Sequence, residues 1–239
     1  MEKEKITALK SIPIFHKLGD EELKSIGERA IQKKYSKDSL IVHEDDEGNS
    51  LMLIMSGKVK VALLSESGKE IILSILGNGD FFGEMSLLDG KPRSATVIAM
   101  KNSTMLIIQR NDFLKLMEQN PTIAKGVLSE MSRRMRMADE RIGNLILLDV
   151  YGRVARFLLD LARREGKKFA DGILIEKRPT QQDIASMIGA SRETVSRVLS
   201  DLNRRGLISI SGKSVMIFGP NKMLESEMEL LFPGEKVDV

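Results

Sequence analysis

The spacing of hydrophobic positions changes several times along this chain. Residues 1–30 carry short helical patterns interrupted at Pro13, and Asp20-Glu21-Glu22-Leu23 reads as a helix start. From about residue 38 to 110 the period falls to two, with apolar runs at 40–42, 51–55, 59–64, 71–76, 96–100 and 105–108. Turn residues separate the runs: Asp45-Asp46-Glu47-Gly48-Asn49, Ser56-Gly57, Ser67-Gly68, Gly77-Asn78-Gly79-Asp80 and Asp89-Gly90. Short strands at this spacing predict a small antiparallel barrel or jelly roll able to enclose one small ligand.

Asn120-Pro121 then predicts the cap and first residue of a long helix with no breaker before Gly143. Along it Ala124, Leu128, Met131, Met135, Ala138, Ile142 and Leu145 recur at alternating spacings of four and three. That heptad stripe predicts a parallel homodimer through residues 121–148, and packing onto the chain's own barrel is the alternative. A further helix is expected over 149–170, capped by Asp149 and burying Val154, Phe157, Leu158 and Leu161, with a loop from Gly166 to Gly172.

Residues 180–206 carry the most specific pattern. Thr180-Gln181-Gln182-Asp183 opens a helix whose apolar face is Ile184, Ala185 and Ile188, and Gly189 marks a sharp turn. Ser191 caps a second helix over 192–205, ended by Gly206, with Val195, Val198, Leu199 and Leu202 inward. Arg192, Glu193, Ser196 and Arg197 stay on the outer face near its start. A recognition helix places its base-reading side chains there. Arginine suits a guanine edge, and glutamate accepts from a cytosine amino group. Residues 207–210 and 215–218 flank Ser211-Gly212-Lys213-Ser214 as a hairpin, hence a wing. Plain helical packing is the alternative.

Composition narrows the class. The chain has 239 residues, a length comfortable for two domains. It has no cysteine, which excludes disulfides, thiol catalysis, Cys-ligated zinc and iron–sulfur clusters, and only two histidines, His16 and His43. No apolar run approaches a membrane span, and Met1-Glu2-Lys3-Glu4-Lys5 lacks a signal-peptide core, so a soluble cytoplasmic protein without membrane association is expected. The net charge of +3 hides a gradient. Residues 150–222 carry 14 basic and 7 acidic side chains, and residues 223–239 carry 1 and 5. The positive stretch favours a polyanion partner.

In the stretch 81–95, Gly83 and the turn after it leave backbone N–H groups able to cradle a phosphate, Arg93 supplies a planar fork and Ser94 a hydroxyl. Glu84 suits a sugar hydroxyl or an arginine. The alternative makes Gly83 and Gly90 turn residues and Arg93–Glu84 a surface ion pair. The acidic run Glu44-Asp45-Asp46-Glu47 has no cysteine and no second set of metal ligands near it and reads as a solvated turn, so no enzyme is expected and no catalytic or metal-binding residues are assigned.

Phe82-Gly83-Glu84 with Pro92-Arg93-Ser94-Ala95, the stretch 191–197, Ile142-Gly143-Asn144-Leu145 and Leu148-Asp149-Val150 together resemble the Crp–Fnr family, and most closely its cyclic-AMP-binding branch. The resemblance covers about residues 12 to 219. It implies an α+β protein: a cyclic-nucleotide-binding-like barrel over 1–111, a dimerisation helix over 112–148, a winged helix–turn–helix over 149–222, and an acidic tail over 223–239 that reads only as an exposed appendage. It implies that Gly83, Glu84, Met85, Ser86, Arg93 and Ser94 hold the ribose and cyclic phosphate of an effector such as cyclic AMP. Arg134 would pair with Glu84 and tie the site to the helix. The two helix positions that meet the base carry a Thr-Ser pair in that branch and are Ala138 and Asp139 here. A family member responding to a different small molecule, or to none, is therefore the alternative. Thr180, Gln181, Ser191, Arg192, Glu193, Thr194, Ser196, Arg197 and Lys213 would contact double-stranded DNA at TGTGA-type half-sites, and an activator would also meet RNA polymerase. The missing cysteines exclude the family's oxygen-sensing cluster, and scarce histidine disfavours its haem-based branch.

Overall fold

The structure is a computed structural model that describes residues 2–66 and 68–218, with side chains from residue 5 onward. Ser67, residues 219–222 of the expected winged domain and the acidic segment 223–239 lie outside the described residues. The chain divides into two compact units, Met1–Met137 and Ala138–Val239.

In the first unit, helices α1 (Glu2–Lys10) and α2 (Asp20–Arg29) precede eight strands. Lys5 joins the two helices: its Nζ donates to the carbonyls of Gly27 (3.0 Å) and Ala30 (3.1 Å) at the end of α2, where a helix leaves acceptors without partners. The strands are β1 (Ile31–Tyr35), β2 (Leu40–Val42), β3 (Ser50–Ser56), β4 (Lys58–Leu64), β5 (Glu70–Gly77), β6 (Phe81–Phe82), β7 (Thr96–Ala99) and β8 (Ser103–Gln109). They form two four-stranded antiparallel sheets, ordered β1-β8-β3-β6 and β2-β7-β4-β5.

The period-two pattern sorts residues to two cores. Met52, Ile54, Phe82 and Met105 from one sheet meet Val59, Leu76 and Val97 from the other. The alternate positions Leu51, Leu53, Phe81, Leu106 and Ile108 pack outward against Leu9, Leu23, Ile26, Phe113, Ile123 and Val127 of the helices. The expected small antiparallel barrel or jelly roll is observed as these two facing sheets. Two strands escaped the pattern. All of β1 but Tyr35 is exposed, so it shows no alternation, and β6 has only two residues.

Helix α3 (Glu84–Asp89) lies between β6 and β7. After β8 the chain forms α4 (Arg110–Gln119) and then α5 (Pro121–Leu147). The long helix opens at Pro121, as Asn120-Pro121 predicted; the sequence pattern gave no sign of α4 before it, which Asn120 closes, its N–H donating to Leu116 O at 2.9 Å. The first turns of α5 bury Ile123 and Val127 against the barrel, with Met131 half-buried beside them. Residues 121–137 fall in the first compact unit and the rest of α5 in the second.

In the second unit, α6 (Val150–Glu165) is capped by Asp149, whose Oδ1 accepts from Gly152 N at 2.8 Å. The expected helix to 170 stops at Glu165, and the expected loop is a hairpin of β9 (Lys167–Phe169) and β10 (Gly172–Ile175). Every residue of β9 is exposed, so it gave no alternating signal. Helices α7 (Gln181–Ile188) and α8 (Arg192–Arg204) and strands β11 (Ile208–Ser211) and β12 (Ser214–Phe218) follow. The sheet order is β11-β12-β10-β9, and one core joins Val154, Phe157, Leu158 and Leu161 to Ile184, Val195, Leu199, Leu202 and Val215.

Candidate ligand site and nucleic-acid interface

Gly83 ends β6 and starts α3 with φ 88°, a left-handed conformation that glycine adopts without strain. A side chain there would also collide with Arg93, because a Cβ would stand 2.3 Å from its Nη1. That close approach lets the Arg93 guanidinium lie buried at 5% exposure, donating from Nη1 to Gly83 O (3.1 Å) and from Nη2 to Ser50 O (2.8 Å) and Ser50 Oγ (3.2 Å). The backbone around it is clamped to the acidic turn: Asp45 N donates to Arg93 O (3.0 Å) and Arg93 N to Asp46 O (2.8 Å). Burial pushes the Arg93 pKa below its ordinary value, and the nearby Glu84 and Asp46 carboxylates oppose that shift. Asp45, Asp46 and Glu47 themselves are exposed.

Glu84 is 4% exposed. Its Oε1 accepts from Arg134 Nη1 at 3.0 Å. The alternative of a surface Glu84–Arg93 pair is therefore corrected: both groups are buried, and the partner of Glu84 is Arg134. Arg134 is held on every side, with Nε on Glu130 Oε1 (2.8 Å), Nη2 on Phe81 O (2.6 Å) and its guanidinium 4.9 Å from the Phe81 ring centroid. Among the described residues of the first unit two buried side-chain atoms have no hydrogen-bond partner, Glu84 Oε2 and Arg93 Nε; Arg153, Arg156 and Arg178 each leave an Nε so in the second unit. Buried polar atoms normally find partners, so Glu84 Oε2 and Arg93 Nε can still take one from a polar ligand.

Ser86 is buried and donates to Pro92 O at 3.2 Å, while Met85 and Ser94 are exposed, with Ser94 Oγ 3.6 Å from Met85 Sδ. Gly48 packs beside Ser86, where a Cβ would stand 2.1 Å from the serine Cβ. Gly83, Glu84, Met85, Ser86, Arg93, Ser94 and Arg134 are thus brought together. Ala138 and Asp139 lie on α5 one turn beyond Arg134 and are exposed. The outer stripe of α5 is exposed too, Leu128 and Met135 at 64%, Ile142 at 55% and Leu145 at 48%.

The helix–turn–helix is fixed by its caps. Thr180 Oγ1 accepts from Asp183 N (3.1 Å) while Asp183 Oδ2 accepts from Thr180 N (3.2 Å), a reciprocal box that starts α7. Gly189 turns the chain at φ 66°. Ser191 Oγ then accepts from Thr194 N at 3.1 Å and starts α8. Thr194 has a second role, accepting from Arg197 Nη2 at 3.3 Å and orienting that side chain. Arg192, Glu193 and Arg197 are exposed and Ser196 is half-buried. The backbone amide and Ser191 hold Glu193 below its ordinary pKa, with Arg192 and Arg197 adding to the effect.

A cleft of about 300 Å³ brings Thr180, Gln181, Arg192 and Lys213 together with Arg178. Sequence reasoning missed Arg178, which precedes the helix start at Thr180. Its N–H donates to Lys213 O at 2.9 Å, tying the wing turn to this cleft, and burial pushes its pKa down. The signal available was only its place in the basic stretch. Among the described residues no group of three or more His, Asp or Glu side chains is arranged to hold a metal ion, and no helix is long and apolar enough to cross a membrane.

A double-sheet ligand barrel with a buried arginine and glutamate, and a winged helix–turn–helix with exposed arginines, define a ligand-responsive DNA-binding regulator. The sequence matches the cyclic nucleotide-binding domain family over residues 32–120 and the Crp-like helix-turn-helix domain family over residues 152–225. It is 39% identical to the cAMP-activated global transcriptional regulator CRP of Salmonella typhimurium over 188 residues, covering 78% of this chain and 89% of that one. It is 37% identical to the CRP-like cAMP-activated global transcriptional regulator of Mycobacterium tuberculosis over 174 residues, covering 73% and 78%. Among solved structures, the c-di-GMP responsive global regulator CLP of Xanthomonas campestris superposes with a TM-score of 0.71 at 25% identity, covering 80% of this chain and 95% of that one. The chain belongs to the Crp–Fnr family of transcription regulators.

Proposed function

We propose that the protein is a homodimeric, ligand-gated regulator that binds a cyclic nucleotide, cyclic AMP first among them, in the first unit and reads palindromic TGTGA-type half-sites with α8. The observation that carries this reading is the buried pair Glu84 and Arg93, each with one atom lacking a partner inside the protein. A buried guanidinium in a site of reduced dielectric suits the negative cyclic phosphate, with Ser94 adding a hydroxyl. The open Glu84 oxygen suits a ribose 2′-hydroxyl donor. Arg134 joins Glu84 to α5, so a ligand seated at Glu84 and Arg93 bears on the helix that carries Leu128, Met135, Ile142 and Leu145. Those exposed apolar positions support a parallel partner helix, with Ala138 between them.

Gating then needs only a ligand that binds the DNA-competent arrangement more tightly than the other. Arg192, Glu193 and Arg197 would meet base edges, and Thr180, Gln181, Ser191, Thr194, Ser196 and Lys213 would position the unit on the duplex. Such a regulator acts in the cytoplasm and, where it activates, meets RNA polymerase. It carries out no catalysis. A different effector is the second reading, favoured by Ala138 and Asp139 and by the c-di-GMP response named for the Xanthomonas campestris neighbour.

Titration calorimetry with cyclic AMP, cyclic GMP and cyclic di-GMP, paired with binding to a palindromic TGTGA duplex, tests the reading. The expected result is one cyclic nucleotide that binds and raises DNA affinity, with both effects lost in Arg93→Ala while the fold survives. Full DNA binding without ligand, unchanged by all three nucleotides, overturns it. Sedimentation of a Met135→Glu/Ile142→Glu double variant should show monomer, since it places like charges opposite each other in an apolar seam.

A further inference from the structure

The basic excess of the second unit extends well beyond its recognition helix. Residues 150–168 hold six basic side chains and two acidic ones. Helix α6 sets Arg156, Asp160 and Arg163 on one stripe, where Asp160 Oδ1 stands 3.4 Å from Arg156 Nε and 3.9 Å from Arg163 Nη1. Arg164 donates from Nε to the backbone O of Asp160 (3.1 Å), leaving the Asp160 carboxylate to the other two. Arg141 of α5 faces the same place, and burial, with the like charge of Arg164, pushes its pKa down. β9 continues the surface with exposed Lys167 and Lys168 and then Phe169, a large apolar side chain 54% exposed.

The described residues end beside this face. β12 ends at Phe218, which pairs with Gly172, and Gly172 pairs on its other side with Phe169. The wing turn, with Lys213, lies at the opposite end of β12. Residues 219–239 follow Phe218, and within them residues 223–239 carry a net −4, with Met223, Leu224, Met228, Leu230, Leu231 and Phe232 interleaved among Glu225, Glu227 and Glu229. Extended, these 21 residues reach as far as about 70 Å, while the 16 residues of α6 span about 24 Å.

We propose that the segment 223–239 docks on the 163–169 face of its own chain, its carboxylates on Arg163, Arg164, Lys167 and Lys168 and its apolar side chains over Phe169. Charge and apolar character match, and the end of β12 at Phe218 places the start of residues 219–239 beside this face. Arg204 and Arg205 are also near Phe218, whose N–H donates to Leu207 O at 3.2 Å, but with Asp201 paired to both they leave a net +1. Arg141, Arg156, Arg163, Arg164, Lys167 and Lys168 instead keep a net +3 against Asp160, Glu165 and Glu176, the Arg163–Asp160 and Lys167–Glu176 pairs included. The docked segment occupies a surface that would otherwise attract phosphates indiscriminately. The recognition helix then dominates DNA binding.

Zero-length carbodiimide cross-linking of the full chain, mapped by mass spectrometry, tests it, with the Lys167–Glu176 pair at 2.7 Å as internal control. The expected result is cross-links from Glu225, Glu227 or Glu229 to Lys167 or Lys168, lost in an Arg163→Glu/Arg164→Glu variant. Equal cross-linking to Lys213, none to Lys167 or Lys168, or cross-links found only between differently isotope-labelled copies overturns the proposal. A full-length variant with the five acidic side chains of 223–239 changed to amides should bind non-specific duplex with a log–log salt slope steeper by about 2. That change should vanish in the Arg163→Glu/Arg164→Glu background. A change of equal size there would mean only long-range charge and would sink the docking.

Discussion

The ligand cassette and the recognition helix both depend on arginine, and they use it in opposite ways. Arg93 is buried, with backbone and hydroxyl oxygens fixing its orientation before any ligand arrives, and Arg134 is held by two carboxylates and a carbonyl. Arg192 and Arg197 are exposed, and Arg197 has one side-chain hydrogen bond, to Thr194. A buried cation is costly unless every partner is in place, so the cassette is rigid and its ligand meets a preset field. An exposed cation is cheap to move, so the recognition helix leaves its arginines adaptable and fixes its own backbone by capping. One region ties function to stability and the other separates them.

The largest expected effect attacks that link. Arg134→Leu leaves Glu84 buried without its cation, and breaking a buried pair costs about 3–5 kcal/mol. Denaturant unfolding of the first unit should show that loss. Arg197→Ala should instead leave the unfolding midpoint within experimental error, while lowering affinity for the specific duplex by about 1–3 kcal/mol and relaxing one base pair. An equal stability loss in both variants would mean that the two regions are built alike after all. A loss spread evenly over all DNA sequences would place Arg197 on phosphates only.

The same contrast decides what could be read from the sequence. The recognition helix is local: Asp149, Thr180 and Ser191 cap helices through contacts three residues away, so spacing alone located them. The cassette is assembled across the chain. The Glu84–Arg134 pair joins residues fifty positions apart, and the clamp from Asp45 and Asp46 onto Arg93 joins separate loops. No periodicity carries such pairings, and the family resemblance alone supplied the first of them. Helix α5 shows a third case. Its outer stripe was visible, but Ile123 and Val127, interleaved with that stripe and packed on the barrel, were not separated from it. Arg178 went unread because its role comes from a backbone bond to Lys213 across the wing.

A smaller effect sharpens the second half of the comparison. Ser191→Ala removes the acceptor for Thr194 N and should cost about 1 kcal/mol of stability in the second unit. Because Thr194 also holds Arg197, specific DNA affinity should fall as well. Urea unfolding and duplex titration of the same preparation separate the two. Restored stability with Ser191→Asp but no recovery of DNA binding would show that the added negative charge repels phosphate.

The smallest expected effect concerns Glu130, the second carboxylate on Arg134. Burial raises its pKa, but hydrogen bonds from Arg133 and Arg134 outweigh that and hold it below its ordinary value of 4.5. A carboxylate whose folded pKa is depressed contributes stability at pH values above its ordinary pKa and loses it as pH falls through the folded value. Glu130→Gln removes that contribution at neutral pH, yet Arg134 keeps Glu84 and the Phe81 carbonyl, so the loss should be less than that of the Ser191 cap. Melting of wild type and Glu130→Gln should therefore differ by a constant amount above about pH 5. The two curves should converge as pH drops below 4.5. A difference that persists unchanged to pH 3 would show that the ionised form of Glu130 contributes nothing and that Glu84 alone anchors Arg134. Convergence would place Glu130 in the buried charge network and make the helix end of the cassette acid-sensitive, a property the exposed arginines of the recognition helix cannot have.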